Sequence, residues 1–292
     1  MKRVLITGAG SYVGGKVRER LESEPEKFQV EELDVQDPSW KDYDFSGYDC
    51  VYHVAGIAHV STDPSMEPLY MAVNRDLTIE VGKKAKTAGV PQLIFMSSAI
   101  VYGDSDPCDV FRPITKETPV NPSNFYGLSK VEAEIGLMEL CDSTFRVAIL
   151  RCPMIYGPGC KGNFPKLAKL ARIMPVFPDI ENRRSMLYVG NLAELVAKLV
   201  ELGNGGLHLP QNAEWSSTPQ LVKALAEAQG KKIALVKLVN PAVKLLFGKT
   251  NAFVKAVGNL YYDQSSSDPY LGYQRFGLKD SARASVAIGD ET

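Results

Sequence analysis

Tyr126 and Lys130 stand four residues apart at the head of a stretch with helical periodicity, so both side chains share one helix face. A phenol is a poor base at its free pKa near about 10, but an adjacent ammonium favours the phenolate and lowers that value. So poised, Tyr126 could take a proton from a substrate hydroxyl while hydride leaves the same carbon. Ser97 and Ser98 close the apolar run 92–96, and a hydroxyl there could hold the oxygen whose proton Tyr126 removes. The three histidines, His53, His59 and His208, have no carboxylate or cysteine partner at metal-ligand spacing and read as structural or backbone-binding.

Such groups need a scaffold, and its first piece is residues 4–14. An apolar run, Val4 to Ile6 with Thr7, suits a buried parallel strand, glycines crowd the following turn, and a helical pattern begins near Lys16. A strand, tight turn and helix in that order let the backbone approach a pyrophosphate and aim free N–H groups at it. Further strands are predicted at 29–35, 49–54, 92–96 and 145–150, alternating with helices at 66–88 and 126–141, which argues for βαβ units around a parallel sheet. In the helix over 66–88, Leu69, Val73, Leu77, Val81 and Ala85 recur at spacing four as an apolar stripe. Residues 103–123 are rich in Asp, Pro and Thr without period, and a loop of that length inside a domain is usually functional.

The fold class read from this is α/β: a doubly wound parallel sheet over 1–155 and a smaller mixed region over 156–292, with segments near 184–208 returning to the sheet. The smaller region holds predicted helices at 164–173, 191–202 and 218–229, the last capped by Thr218 with Pro219 in its first turn. Asn240-Pro241 repeats that start for a helix over 242–247. From Tyr262 the pattern fades, with residues 285–292 frayed.

A formal net charge of -1 gives no reason to expect nucleic acid or an anionic membrane as a partner. Five cysteines, an odd number without metal or disulfide spacing, read as reduced thiols. The chain enters a strand almost at once, leaving no room for a signal peptide, and no apolar run reaches membrane-spanning length. The expectation is a cytoplasmic protein.

Five motifs occur in order: Thr7-Gly8-Ala9-Gly10-Ser11-Tyr12-Val13-Gly14, His53-Val54-Ala55-Gly56, Asn74, Ser97-Ser98-Ala99-Ile100-Val101-Tyr102-Gly103, and Tyr126-Gly127-Leu128-Ser129-Lys130. Their order and spacing resemble the extended short-chain dehydrogenase/reductase family, with its Rossmann-type sheet, and within it the NAD-dependent epimerase/dehydratase group that includes the UDP-glucose 4-epimerases. The resemblance implies that Ser98 is the catalytic serine and Tyr126 the base. Lys130 would bind the nicotinamide ribose and lower the tyrosine pKa, and Asn74 would support the site. It also implies cofactor binding by Gly8, Gly10, Ser11, Tyr12, Val13 and Gly14, by Val54, Ala55 and Gly56 beside a ribose, and by Pro153 near the nicotinamide. In the smaller region Asn163 resembles a substrate-pyrophosphate asparagine and Arg184 an arginine on a UDP phosphate, with Arg183 the competing candidate.

Two departures stand out. Ser11 replaces the middle glycine of the family's turn, and the stretch before Asp49 is too short for the usual two strands. Asp34 could be the acid on the adenosine ribose, while Asp37 could equally be an adenine-edge residue; no basic residue adjoins Asp34, which favours NAD, with NADP the alternative. The activity implied is a nucleotide-sugar 4-epimerase with a UDP-sugar substrate. A 4-keto-nucleotide-sugar reductase and a non-catalytic NAD(P)-binding regulator are the alternatives. Ala99 and Ile100, in place of an acidic pair, argue against a dehydratase. The helices at 69–88 and 126–141 each have apolar surface to spare, and because in the resembled family these pair across a two-fold axis as a four-helix bundle, the resemblance implies a homodimer.

Overall fold

The structure is a computed structural model that describes residues 1–58, 63–238, 240 and 257–286. His59, the helix start at Asn240-Pro241, the helix expected over 242–247 and the tail from residue 287 therefore fall wholly or partly outside the described residues. Six strands form one parallel sheet: β1 (Lys2–Thr7), β2 (Phe28–Leu33), β3 (Cys50–His53), β4 (Gln92–Ser98), β5 (Arg146–Cys152) and β9 (Gly206–His208), in the order β2-β1-β3-β4-β5-β9. Val4, Leu5 and Ile6 are all buried, as a strand covered on both faces requires.

Helices α1 (Tyr12–Glu22) and α6 (Val189–Leu202) share a core with one sheet face, and α3 (Leu77–Thr87) and α4 (Phe125–Met138) with the other. The sheet is thus doubly wound, as expected. A single strand stands where the family commonly has two: after β2 the chain makes only a 3₁₀ turn, Pro38–Asp42, before β3.

The smaller region joins β6 (Met154–Tyr156) to β8 (Met186–Tyr188), and β7 (Val176–Pro178) to β10 (Ala234–Val236). Its core lies under α5 (Asn163–Ile173) and α7 (Thr218–Ala228), with the last described helix, Leu278–Val286, packed on α7. That last helix corrects the expectation of a featureless end from 262. The cap of α7 also moves by one residue: Ser217 accepts from the Gln220 N–H and the Gln220 side chain returns the bond, so Thr218 is already helical.

The helix expected over 66–88 is divided into α2 (Glu67–Tyr70), a π-helical stretch Met71–Asp76, and α3. Its buried face runs through Tyr70, Asn74, Thr78, Val81 and Ala85, while Leu69 is exposed. Among the described residues no helix is long and apolar enough to cross a membrane.

Candidate active site

Strand order reverses at β1, whose neighbours are β2 and β3, and the crevice beyond the carboxyl ends of strands at such a switch point is where open α/β sheets take ligands. Two turns meet there. Val54 and Ala55 donate to the Thr7 carbonyl at 3.0 and 2.9 Å, and a Cβ on Gly8 would lie 2.8 Å from the Ala55 nitrogen. With φ at +119°, position 8 requires glycine on both counts.

Ser11 takes φ −71° and ψ 144°, an ordinary extended conformation, and its Oγ accepts from Gly14 N at 3.1 Å. The serine that departs from the family turn is therefore the N-cap of α1. Tyr12 and Val13 open α1, and no described residue accepts from their N–H groups. These donors, with the positive end of the helix dipole, suit a pyrophosphate. The Tyr12 side chain turns away into the core of the smaller region, where its buried Oη has no described partner.

The two candidate acids at the adenosine end separate. Asp34 directly follows Leu33, whose carbonyl accepts from Gly8 and Ala9, so it stands beside the glycine turn. One of its oxygens accepts from Gln36 N and the other is free of described partners. Asp37 instead caps the 3₁₀ turn by accepting from Ser39 N at 2.8 Å.

At the next strand end the Ser98 hydroxyl, which accepts from Ile100 N at 3.3 Å, stands beside the Tyr126 phenol and acts on it. Burial pushes the phenol up to about 12, the Ser98 hydroxyl pulls it back, and Tyr70 and Cys152 push it further up. Tyr70 meets the Tyr126 ring edge-on at 5.7 Å. Tyr126 itself is half-buried; Lys130 is buried, and desolvation brings its ammonium down to about 8 against an opposing pull from Glu134. Its Nζ donates to the Met96 carbonyl at 3.0 Å and lies 4.7 Å from the centre of the Phe95 ring. Burial is the dominant influence on the Tyr126 phenol, and the group opposing it is Ser98.

Asn74, inside the π-helical stretch, accepts from Ile57 N at 2.9 Å and donates to Ile57 O at 3.0 Å and to Ser129 Oγ at 3.2 Å. Ser129 in turn donates to the Tyr126 carbonyl at 2.8 Å. Asn74 thus ties the segment after Gly56 to the first turn of α4. Pro153 is buried one residue beyond Cys152, the register partner of Ser98.

His53 bonds Thr7 Oγ1 at 2.7 Å and Thr78 Oγ1 at 3.0 Å, and burial lowers it to about 3, so it is a neutral bridge between strand and helix. His208 bonds Asp268, which also holds Lys116 at 2.7 Å, and so pins the 103–123 loop to the sheet end.

Sequence reasoning missed a buried polar cluster behind the site. Ser97 does not share the role of Ser98: its hydroxyl donates to Glu134 at 2.5 Å, and Arg151 holds Glu134 at 2.6 Å while donating to Tyr102 Oη at 2.8 Å. The only local signal was Glu134 itself, four residues beyond Lys130 on the same helix.

The two arginine candidates also part. The Arg184 guanidinium donates to Ser105 Oγ and to the Gly258 carbonyl, has no carboxylate partner among the described residues, and is brought down to about 10 by burial. A buried cation so placed suits an anionic ligand. Arg183 stacks among Phe111, Trp215 and Tyr261. Asn163 opens α5, exposed, and its side chain makes no hydrogen bond with a described residue. A cleft of about 450 Å³ lies between the 103–123 loop and residues 259–260, with Asp104, Arg112 and Asn121 among its walls.

A dinucleotide-type turn and a Ser–Tyr–Lys group on one edge of a doubly wound sheet define an extended short-chain dehydrogenase/reductase. The model of the NAD dependent epimerase/dehydratase family matches residues 4–209, and the chain belongs to that family. It is 33% identical over 250 residues to a UDP-glucose 4-epimerase of Vibrio cholerae, covering 80% of this chain and 76% of that one. It is 30% identical over 261 residues to the N-acetyl-alpha-D-glucosaminyl-diphospho-ditrans,octacis-undecaprenol 4-epimerase of Escherichia coli O157:H7, covering 82% and 76%. Among solved structures, MoeE5 in complex with UDP-glucose and NAD superposes with a TM-score of 0.74 at 19% identity over 98% of both chains, a likeness of fold.

Proposed function

We propose that the protein is a nucleotide-sugar 4-epimerase that acts on a UDP-hexose or UDP-N-acetylhexosamine with bound NAD. The observation that carries this is the grouping of Ser98, Tyr126 and Lys130 at the carboxyl edge of the sheet. The unpaired N–H groups of Tyr12 and Val13 and the free oxygen of Asp34 fit a dinucleotide at its pyrophosphate and adenosine ribose. Val54, Ala55 and Gly56 would pass its other ribose, and Pro153 would wall the nicotinamide. Bound NAD supplies the hydride acceptor and, when oxidised, a positive charge that favours the phenolate.

Ser98 would hold the sugar 4-oxygen and Tyr126 take its proton as hydride leaves C4. After the 4-keto sugar turns over, hydride returns to its other face and Tyr126 returns the proton, so no net oxidation occurs. Lys130 would hold the nicotinamide ribose, Asn74 would keep the Ile57 segment against α4, and Arg184 with Asn163 would take the substrate diphosphate. Five free thiols support a cytoplasmic setting. Exposed Leu69, Leu128, Ile135 and Met138 on α2 and α4 support a homodimer, and sedimentation finding a monomer at micromolar concentration would refute it.

The decisive assay is incubation with UDP-glucose, UDP-galactose and their N-acetyl forms without added cofactor. Interconversion is expected, and Tyr126→Phe abolishes it while leaving NAD bound. Oxidation of added NAD(P)H by a 4-keto substrate without interconversion would instead identify a reductase, and retained turnover in Tyr126→Phe would overturn the mechanism.

A further inference from the structure

We propose that the outer face of α5, together with the β7–β10 pair, docks on an anionic lipid bilayer. The net charge of -1 hides a strong local segregation. Residues 161–178 carry Lys161, Lys166, Lys169 and Arg172 and no Asp or Glu. Residues 231–238 add Lys231, Lys232 and Lys237, again without an acid. Parallel pairing of β7 with β10, Val176 opposite Ala234 and Pro178 opposite Val236, brings the two segments side by side. All seven cations are exposed, and none forms an ion pair with a described carboxylate, whereas the lysines and arginines of α1 are laced to neighbouring glutamates. In sequence, residues 230–262 contain no acid either.

Charge alone would suit any polyanion, and the apolar side chains between the cations decide for lipid. Helix α5 buries Phe164 and Ala171, yet on its outer side Leu170 is 37% and Ile173 61% exposed. Val176 at the start of β7 is 49% exposed, and Leu238, two residues beyond β10, is 87% exposed. A helix that carries Lys and Arg together with exposed Leu and Ile lies in a headgroup layer, its cations on lipid phosphates and its apolar tips below them. Nucleic acid offers no phase for four aliphatic side chains, and it is read through aromatic stacking or base edges. A second copy of this face would set seven cations against seven.

The test is co-sedimentation of the full-length protein with vesicles of phosphatidylcholine alone or mixed with phosphatidylglycerol, with no sugar or NAD present, so that its outcome is independent of the proposed catalysis. Binding is expected to the mixed vesicles only. The Lys166→Glu/Lys169→Glu/Arg172→Glu variant should lose at least about a hundredfold, since each cation near an anionic surface contributes about fivefold. Leu170→Ser/Ile173→Ser should bind more weakly, and its residual binding should vanish with added salt. All five positions are exposed and outside the proposed site, so thermal melting and sugar turnover in solution should match the parent. Failure to bind mixed vesicles, equal binding to neutral ones, indifference to both sets of substitutions, or preference for a DNA duplex over mixed vesicles would each overturn the proposal.

Discussion

Glu134→Gln tests whether the cluster behind the site holds it in place. Glu134 is 4% exposed and accepts from Ser97 at 2.5 Å and from Arg151 Nη2 at 2.6 Å, and the Arg151 side chain is itself only 12% exposed. The amide keeps the shape but removes the negative charge, leaving a buried guanidinium opposite an NH₂ group or a neutral oxygen. Breaking one side of a buried pair costs about 3–5 kcal/mol. For a chain of this size roughly 2 °C of melting temperature accompanies each kcal/mol, so a fall of about 6–10 °C is expected in calorimetry. Removing both charges with Glu134→Leu/Arg151→Met should restore most of that loss, because replacing a buried pair by apolar groups is often nearly neutral. The second readout is the pH profile: Glu134 opposes the desolvation that brings Lys130 to about 8, so its loss moves the Lys130 limb to lower pH. A single variant that melts with the parent, or a double variant as unstable as the single, would refute the reasoning.

Lys130→Met should remove one contribution to stability that grows at alkaline pH. Lys130 is held near 8 in the fold and sits near about 10.4 when free, so between those values the unfolded chain binds the extra proton at this site and the Lys130 contribution to stability increases with pH. That contribution is on the order of 3 kcal/mol, and since the buried Cys50 and Cys152 thiols, raised by burial, act in the opposite sense over the same window, it is read as the change with pH in the difference between parent and variant in urea titrations. Gly56→Ala would put a Cβ 2.9 Å from Asn74 Oδ1 and 3.3 Å from Lys130 Nζ; turnover should fall about ten- to a hundredfold with little change in melting, and parental turnover would count against the Asn74 tie. Ser11→Ala should cost about 1 kcal/mol in denaturant titration and Ser11→Gly only a few tenths, whereas equal losses would show that Ser11 is not acting as a cap.

What could be read along the chain was local. Apolar runs of strand length separated by glycine turns located β1, β3, β4 and β5 within one or two residues, and four-residue spacing put Tyr126 and Lys130 on one helix face. The desolvation that dominates at Tyr126 could not be read from spacing, because only the folded structure sets burial. The Ser97–Glu134–Arg151 cluster joins residues 37 and 17 positions apart, a link that no periodicity encodes. Net charge sums over the chain and so does not register that the β7–β10 pairing sets two acid-free, lysine-bearing segments beside each other.

The helix over 66–88 shows how an exception in local pattern carries function. In an ideal α-helix, residues at spacing four drift around the axis by about 40° at each step, so a long run at that spacing cannot stay on one face. Leu69, Val73, Leu77, Val81 and Ala85 keep the spacing, and the buried line instead passes through Tyr70, Asn74 and Thr78 before rejoining Val81 and Ala85. The π-helical stretch Met71–Asp76 absorbs the mismatch with a wider turn. Asn74 sits inside that wider turn, buried, with both amide atoms engaged. Tyr70, one turn earlier, meets the Tyr126 ring, and Thr78, one turn later, meets His53. The regular spacing thus picked the wrong side of the first two turns, and the irregular helix instead lines three consecutive turns against the strand ends and the helix start that carry the chemistry.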